Sequence, residues 1–296
     1  MFFHRKKFYN FLKYSFLFTL LLLFIFCSKV KEKNLNVYFI NVGQGDASLI
    51  MLPNDKYILI DTGDGGNPFK EKDAGRDVIV PLLKRLGIKY LDYLILTHTH
   101  SDHIGGCIEV LNEISVGEII INGKPATGSY YKKLLRKIKD NNIPLKKVQT
   151  GDKIIYQNSK DLEILFLHPD NVDNYDNLNN TSVVTYIKYK KISFLFMADA
   201  EADVEDIILN NYPDLKCTII KVGHHGSDTS SSNRFVNQIK PEVAIISCAL
   251  KNKFGHPAKS TLEKYQNIGS KIYKTYENGT ILVATNGKSY KIITEK

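Results

Sequence analysis

The chain comprises 296 residues, of which 43% are hydrophobic and 24% are charged, a composition typical of a globular protein with one or two domains. Seven of the 40 basic residues but only one of the 31 acidic residues lie in the first 33 positions, so residues 34–296 carry a net charge of about +3. Because this net charge is small, it is not evidence for a polyanionic partner. The cysteines are isolated in the sequence, so they indicate neither a zinc knuckle nor a disulfide framework.

The first 33 residues have the pattern of a targeting segment. Basic residues 5–7 precede an apolar stretch over residues 16–26, which is shorter than the ~20 apolar residues that a membrane-spanning helix needs. The positive-inside rule then predicts that residues 34–296 are exported and attached to the outer face of the cell membrane through this segment. Cys27 resembles the lipid-modified cysteine of a bacterial lipoprotein, although Phe26 is bulkier than the residue usually found there. A lipoprotein, an uncleaved anchor and a cleaved, secreted form all stay open.

Residues 34–296 contain no internal repeat and no proline-rich linker, which predicts a single domain. Apolar periodicity predicts a first half of short strands with two helices, over residues 77–86 and 130–140. The strands predicted in this half cover residues 36–41, 47–52, 57–61, 93–96, 118–121, 154–156, 162–167, 182–189 and 192–197. In the second half, helices predicted at 202–210, 233–239 and 260–268 alternate with strands at 217–222, 243–247, 271–276 and 280–284.

Each half contributes its own strands and helices, so we expect two sheets. Because a sheet buries its faces against other elements, the two sheets are expected to face each other with helices outside. This arrangement is an α/β fold of four layers, an αββα sandwich. Ligands in such folds gather where loops leave the strand ends. The sequence gives no signal for an obligate protein partner.

The most distinctive segment is His-Thr-His-Ser-Asp-His at residues 98–103, directly after a predicted strand. Burial of an imidazole or a carboxylate without a partner is unfavourable, by about 2–7 kcal/mol for each polar group. Both groups are good ligands for zinc, manganese or iron. The spacing predicts that His98 and His100 face one metal ion, while Asp102 and His103 lie toward a second.

Three further aspartates come near the ends of predicted strands. Asp199 follows a strongly apolar run, and bridging two cations would remove the cost of burying it unpaired. Asp61 either orients a metal-bound histidine or forms a turn before Gly63. Asp46 follows a glycine-containing turn and is expected to line the floor of the site.

Two other histidine-containing loops complete the candidate site. His224 and His225 follow the strand predicted at 217–222, and we expect His224 to bind the second cation while His225 lines the pocket. His256 lies between a glycine and a proline. It is expected either to act as a general acid that protonates a leaving oxygen or to brace its loop by a hydrogen bond.

Taken in chain order, these residues resemble the metallo-β-lactamase superfamily. The similarity is closer still to the hydrolase domain of ComEC-type competence proteins, in a standalone form, and it covers residues 36–285. The matching motifs are Asn41-Val42-Gly43-Gln44-Gly45-Asp46, Asp92 with the 98–103 loop and Gly105-Gly106, Asn179-Asn180-Thr181-Ser182, Lys221-Val222-Gly223-His224-His225-Gly226-Ser227 and Asn252-Lys253-Phe254-Gly255-His256-Pro257.

The resemblance implies a hydrolase with two divalent cations, zinc or manganese, which acts through a metal-bound hydroxide. Asp102 would orient the hydroxide, Asp199 would link the cations, and His256 or His225 would stabilise or protonate the leaving group. The implied substrates are phosphodiesters, either single-stranded DNA or RNA or a phosphodiester of the cell envelope. The alternatives are hydrolysis of another ester, a lactone or a β-lactam, and metal-stabilised surface binding with little turnover.

The segment before Asp199 departs from the wider superfamily, which places a further histidine ligand of the first cation there. Here the segment contains Asn180 and Ser182 instead. Asn180 is expected to offer a weaker oxygen ligand unless water fills the position, and an oxygen-richer site favours manganese over zinc. His168, the one histidine between residues 103 and 199, is expected to be structural. The basic helix at 130–140 either guides a polyanionic strand or presents a solvated face.

Overall fold

Two β-sheets form the centre of the protein in a computed structural model that describes residues 34–66, 72–156 and 161–296. The targeting segment predicted for residues 1–33 lies outside the described residues. In chain order the strands are β1 (Leu35–Phe39), β2 (Ser48–Met51), β3 (Tyr57–Ile60), β4 (Tyr90–Leu96), β5 (Ser115–Ile121), β6 (Leu145–Lys147), β7 (Lys153–Ile154), β8 (Leu162–His168), β9 (Val184–Tyr189), β10 (Ile192–Phe196), β11 (Ile219–Lys221), β12 (Val243–Ile246), β13 (Lys271–Lys274), β14 (Ile281–Thr285) and β15 (Tyr290–Thr294).

The α-helices of the described residues span 4 to 12 residues. They are α1 (Val80–Arg85), α2 (Ser101–Ile104), α3 (Cys107–Glu113), α4 (Ser129–Asp140), α5 (Ala202–Asn211), α6 (Asn233–Ile239), α7 (Lys259–Asn267) and α8 (Thr275–Asn278). A π-helical turn, Gly75–Ile79, leads into α1, and 3₁₀ turns occur at Val172–Asn174, Leu178–Thr181 and Gly223–Gly226. Within the described ranges, no helix combines the length and the apolar character that crossing a bilayer requires.

Parallel pairing in both sheets brings the polar loops together. The first sheet has the order β15-β14-β1-β2-β3-β4-β5-β6 and is parallel from β3 to β6. The second has the order β13-β12-β11-β10-β9-β8-β7 and is parallel from β10 to β13. The carboxyl ends of parallel strands lie at one edge of a sheet. Asp61 and the 97–103 loop therefore share one edge, and Asp199 shares another with the loop that follows β11.

Side chains that alternate along each strand fill two different interiors. In β5, Ile120 packs between the two sheets, whereas Ile119 and Ile121 pack against helices. Phe196 of β10 stacks on Phe39 of β1 with ring centroids 5.7 Å apart, which ties one sheet to the other. Helices α1, α3 and α4 cover the outer face of the first sheet, and α5, α6 and α7 cover that of the second. The predicted αββα sandwich is confirmed.

The elements that differ from the sequence prediction are mostly short or exposed. Strands β6 and β15 are absent from the prediction because they are edge strands with lysines and little apolar patterning. The strand predicted to begin at residue 182 begins at Val184, because a 3₁₀ turn occupies Leu178–Thr181. The helix predicted over 77–86 begins as the π-helical turn and becomes α-helical at Val80.

Close backbone packing holds the helices after the 98–103 loop against the loop that contains Asp61. A Cβ atom on Gly105 would lie 2.0 Å from the backbone nitrogen of Gly65, and one on Gly106 would lie 2.4 Å from the carbonyl oxygen of Thr62. Neither approach leaves room for a methyl group, so glycine at both positions permits this contact.

We expect Gly105→Ala to lower the free energy of unfolding by about 1–3 kcal/mol, since the methyl group must displace backbone rather than a flexible side chain. Urea denaturation of the wild-type and variant proteins measures this. Gly128→Ala is the matched control, because a Cβ there meets no atom of the described residues within 4 Å. Equal stability of the two variants would contradict the proposed packing constraint.

Candidate metal centre

The loop of residues 97–103 carries a dense group of histidines. Helix α2 begins directly after His100, and the backbone N–H of His103 donates to the carbonyl oxygen of His100 at 3.1 Å. This tight turn places the rings of His98 and His103 4.1 Å apart by their centroids, and His98 Nε2 lies 3.0 Å from His100 Nδ1. Burial lowers the pKa of His98 well below its usual value. The ring is therefore neutral at pH 7 and has a lone pair available for a cation.

Asp61 orients His103 from the end of β3. Its carboxylate accepts hydrogen bonds from the Thr97 backbone N–H at 2.8 Å and the Thr97 hydroxyl at 2.7 Å, and His103 Nδ1 lies 2.7 Å away. Because a carboxylate only accepts, Nδ1 is the donor, and His103 Nε2 faces the cavity. Burial alone would lower the pKa of His103, but the carboxylates of Asp199 and Asp61 raise it well above its usual value. They favour a positive charge at this ring, either a proton or a cation.

Asp199 lies between the histidines of the two sheets. It follows β10 and is 2% exposed. One carboxylate oxygen, Oδ2, lies 3.3 Å from His103 Nε2 and 3.7 Å from His98 Nε2, and the other, Oδ1, lies 3.4 Å from His225 Nε2. Burial alone would raise the pKa of Asp199, but His225 and His103 hold it well below its usual value. The carboxylate thus faces candidate ligands from both sheets.

The structure places His225, and not His224, beside Asp102, whereas the sequence prediction put His224 at the second cation and His225 in the cavity lining. His225, rather than His224, lies beside the second group of ligands: its Nε2 is 3.3 Å from Asp102 Oδ2. Its Nδ1 lies 2.9 Å from the carbonyl oxygen of Ser247, which fixes the ring. Burial alone would lower the pKa of His225, but Asp199 and Asp46 raise it to about 10. His224 is instead the more exposed ring at the cavity wall.

Four overlapping groups of three side chains have donor atoms close enough to hold a cation, among the described residues. In one, the donor atoms of His98, His103 and Asp199 all lie within 4.8 Å of one another, and in another so do those of Asp102, His103 and His225. His103 belongs to both groups, and its single available nitrogen, Nε2, can serve only one cation. Within the described part of the chain, His103 Nε2, Asp199 Oδ1 and His225 Nε2 are buried without a hydrogen-bond partner. Each such atom costs about 1–3 kcal/mol unless something satisfies it. The residues therefore fit a dinuclear metal site, with His100 next to the first group.

The segment in place of the missing histidine contributes different atoms from those expected. Asn180 Oδ1 accepts a hydrogen bond from the Glu201 backbone N–H at 3.0 Å, so this oxygen is engaged away from the cavity. Asn179 lines the cavity instead. The Ser182 hydroxyl accepts from the Asp199 backbone N–H at 3.2 Å and lies 3.4 Å from His98 Nδ1. Ser182 thus contacts two candidate ligands, Asp199 and His98.

Lys221 is a site residue that the sequence interpretation did not single out. It ends β11 and is 2% exposed, with its ammonium nitrogen 2.6 Å from Asp46 Oδ2. Asp46 Oδ1 in turn lies 3.4 Å from His225 Nδ1. The sequence offered one signal for this residue: a lysine ends an apolar strand and precedes a pair of histidines. Asp46 and Lys221 form an ion pair that supports His225.

His256 lies at the cavity mouth. Its ring stacks on Phe254 with centroids 5.6 Å apart and lies 6.3 Å from the ring of His225. Burial, and the neighbouring rings of His224 and His225, lower the pKa of His256 to about 4. The ring is therefore neutral at pH 7 and offers a single N–H donor, rather than the imidazolium of a strong general acid. The residues around this cavity of about 480 Å³ are Gln44, His100, Ser101, Asp102, Asn179, Asp199, His224, His225, Phe254 and His256.

The remaining expectation concerns His168, which is buried at the end of β8. Its Nδ1 lies 2.8 Å from the carbonyl oxygen of Ser182, and its Nε2 lies 3.3 Å from the Tyr175 hydroxyl. Both ring nitrogens are thus engaged in local contacts, and His168 is absent from the cavity lining.

Comparisons with known proteins agree with this architecture. The chain is 32% identical over 272 residues to ComE operon protein 3 of Bacillus subtilis, which covers 89% of this chain and 34% of that protein. It is 32% identical to Recombination protein 2 of Haemophilus influenzae over 82% of this chain and 28% of that protein. The chain thus spans about a third of the length of these relatives. The resemblance to competence proteins is confirmed.

Solved structures share the fold at low sequence identity. CmlA, a diiron beta-hydroxylase from Streptomyces venezuelae, superimposes with a TM-score of 0.55 at 13% identity, over 88% of this chain and 54% of that one. The metallo-beta-lactamase fold protein YhfI from Bacillus subtilis also gives a TM-score of 0.55, at 11% identity, over 85% of this chain and all of that one. The model of the metallo-beta-lactamase superfamily matches residues 40–249, a span that includes all candidate ligands. The chain belongs to the metallo-beta-lactamase superfamily.

Proposed function

We propose that the protein is a metal-dependent phosphodiesterase that cleaves single-stranded nucleic acid. The observation that carries this proposal is the Phe254 ring, which is 55% exposed at the mouth of the cavity that contains the candidate metal ligands. An exposed aromatic ring offers a surface on which a base can stack, and such stacking contributes about 1–3 kcal/mol per base. The superfamily supports a metal-dependent hydrolase, and the stacking ring indicates the class of substrate.

Cationic side chains extend this surface on both sides of the cavity. Lys253 Nζ lies 5.1 Å from the centroid of the Phe254 ring, and Lys251 is exposed in the same loop. A second cavity of about 450 Å³ shares His100 and Ser101 with the first and reaches the start of α4. The exposed basic residues of α4 are Lys132, Lys133, Arg136 and Lys139. A polyanionic strand that passes over the metal centre would meet positive charge at both ends.

The side chains have distinct roles in this reaction. Two divalent cations at the described ligands would supply Lewis acidity toward a phosphoryl oxygen. Burial alone would raise the pKa of Asp102, but His225 and His103 hold it well below its usual value. Asp102 is therefore an anion at pH 7 and orients an attacking water by accepting its hydrogen bond. The neutral ring of His256 can donate an N–H to the leaving oxygen.

A phosphodiester of the cell envelope is the second candidate substrate. The predicted export of residues 34–296 favours it, since the domain would then face envelope polymers. The names of the relatives refer to competence and recombination. Because this chain spans about a third of their length, uptake of DNA is not part of the proposal.

We expect the full chain, loaded separately with zinc and manganese in detergent, to cleave single-stranded DNA or RNA. Asp102→Asn removes the charged acceptor at constant size and is expected to lower kcat/KM by about 10²–10⁴-fold. Glu113→Gln, at an exposed ion pair with Lys84, is the control and should retain full activity.

Cleavage of bis-p-nitrophenyl phosphate without cleavage of nucleic acid would favour the envelope substrate. Metal-loaded protein that cleaves neither phosphodiester would contradict the proposed activity. Activity of Asp102→Asn equal to that of the control would contradict the role assigned to Asp102.

The stacking role of Phe254 predicts a binding defect. We expect Phe254→Ala to raise the dissociation constant for a single-stranded oligonucleotide roughly 5- to 100-fold, which corresponds to the loss of about one stacked base. Fluorescence anisotropy in the Asp102→Asn background measures binding without cleavage. Leu250→Ala is the matched control, because Leu250 is 71% exposed in the same loop. An equal effect of the two substitutions would show that stacking on Phe254 contributes nothing.

The location of the protein is a further proposal, which rests on the sequence of residues 1–33. We expect the intact protein to fractionate with the cell membrane, with residues 34–296 accessible to protease from outside. If Cys27 carries the lipid, mass spectrometry will show a lipid-modified residue that is lost in Cys27→Ala. An unprocessed N-terminus of full mass would indicate the anchor, and a protein found only in the cytosol would contradict export.

A further inference from the structure

His224 is fixed by a carboxylate in the manner of a metal ligand. Its Nδ1 lies 3.1 Å from Glu201 Oε1 and 3.2 Å from the Thr229 hydroxyl oxygen. Because the carboxylate can only accept, Nδ1 holds the proton and donates it. Nε2 then carries the lone pair, and the Asn179 amide nitrogen lies 3.4 Å from it. Metal-bound histidines commonly donate the other ring N–H to a carboxylate in this way, and Asp61 holds His103 by the same contact.

The unprotonated nitrogen of His224 lies on the side of the first candidate cation. His224 Nε2 is 3.9 Å from Asp199 Oδ2, the same oxygen that lies 3.7 Å from His98 Nε2. His225 Nε2 faces the other carboxylate oxygen, Oδ1, at 3.4 Å and lies beside Asp102. The two histidines thus approach opposite oxygens of one carboxylate.

Asn179 adds an oxygen next to His224. It is 8% exposed, and its Oδ1 has no hydrogen-bond partner among the described residues. Its amide nitrogen lies 3.4 Å from His224 Nε2 and 3.4 Å from Glu201 Oε1. The Asn177 side chain accepts the Asn179 backbone N–H at 3.0 Å and so holds the turn in place. A buried amide oxygen without a partner needs a compensating group, which a cation can supply.

The backbone explains how neighbouring residues both reach the cavity. His224 has φ 46° and ψ 48°, and His225 has φ 54° and ψ 22°. Two successive non-glycine residues in the left-handed region are unfavourable, by about 1–3 kcal/mol each. In an extended strand their side chains would point to opposite faces, whereas here the ring centroids lie 6.2 Å apart and both rings line one cavity.

We infer that His224 and His225 divide between the two cations. His225 serves the cation beside Asp102 and His103. His224 is a ligand of the other cation, with His98, His100 and Asp199, and Asn179 Oδ1 is the adjacent oxygen ligand. His224 thereby replaces the histidine that the wider superfamily supplies before the bridging aspartate. The inference rests on the proposed dinuclear centre but requires no particular substrate.

Titration of the metal-free full chain with cobalt(II), followed by visible absorption and by metal analysis after dialysis, tests the division. Wild-type protein should bind two ions per chain. His224→Gly and His225→Gly fit the left-handed backbone, so they remove one ring each without adding strain. Each should weaken one of the two binding steps by more than about 100-fold, beyond the ten- to hundredfold effect of losing an outer partner.

The protein with both substitutions shows whether His224 and His225 bind different cations or the same cation. If the histidines serve different cations, the protein with both substitutions should retain no tightly bound ion. If both histidines serve one cation, it should retain one ion at wild-type affinity, and the inference is overturned. His256→Ala is the control, because His256 lines the cavity but belongs to neither ligand group, and it should still bind two ions.

Two further variants test the parts played by Asn179 and Glu201. Asn179→Ala should weaken the same step as His224→Gly, and Asn179→Asp should restore it because an oxygen donor returns. Glu201→Gln should weaken that step by roughly 10- to 100-fold. Unchanged binding in Asn179→Ala would remove this residue from the ligand set. Wild-type protein that binds two ions but cleaves no phosphodiester would overturn the proposed function and leave the division of the histidines standing.

Discussion

The buried carboxylate of Asp199 is the constraint on which the site depends. It is 2% exposed and meets histidines that come from both sheets, at distances of 3.3–3.9 Å. An isolated ionised carboxylate in this position would be strongly unfavourable. Positive charge around it must therefore be supplied, either by protonated rings or by cations. The packing of the two sheets on each other brings these groups together, so the sandwich and the site depend on the same contact between halves.

Four of the nine non-glycine residues with positive φ among the described residues lie at this site. Asp61, Ala198, His224 and His225 all have positive φ values, between 46° and 59°. None of them is a glycine, so each costs free energy that the surrounding packing must offset. These residues lie at the ends of β3, β10 and β11, where the chain leaves a regular strand. The sandwich is therefore a rigid frame that holds strained loop ends in the geometry the ligands require.

Much of this arrangement follows from the sequence because its signals are local. The 98–103 loop and Asp199 each follow a strongly apolar strand, so their burial and their position at a sheet edge could be predicted. The positions of His224 and His225 could not, because both residues have positive φ values that their sequence does not indicate. In the same way, the 3₁₀ turn at Leu178–Thr181 decides that Asn179 rather than Asn180 reaches the cavity. Short edge strands such as β6 could not be predicted, because they form by pairing with a neighbouring strand and have little apolar alternation in their sequence.

The charges around the cavity connect these observations. The carboxylates in or next to it are Asp46, Asp61, Asp102, Asp199 and Glu201. Lys221 is the buried ammonium group paired with Asp46. In their ionised forms these groups leave an excess of four negative charges, which equals the positive charge of two divalent cations.

Without cations, the same excess accounts for the raised pKa values of His103 and His225, since a proton on either ring neutralises part of it. Cations and protons therefore compete for the same ring nitrogens. Cation binding must then release protons and strengthen as the pH rises. His256 does not take part in this competition, because its lowered pKa keeps the ring neutral at pH 7. His103 and His225 are thus suited to bind a proton or a cation, and His256 is suited to donate a hydrogen bond.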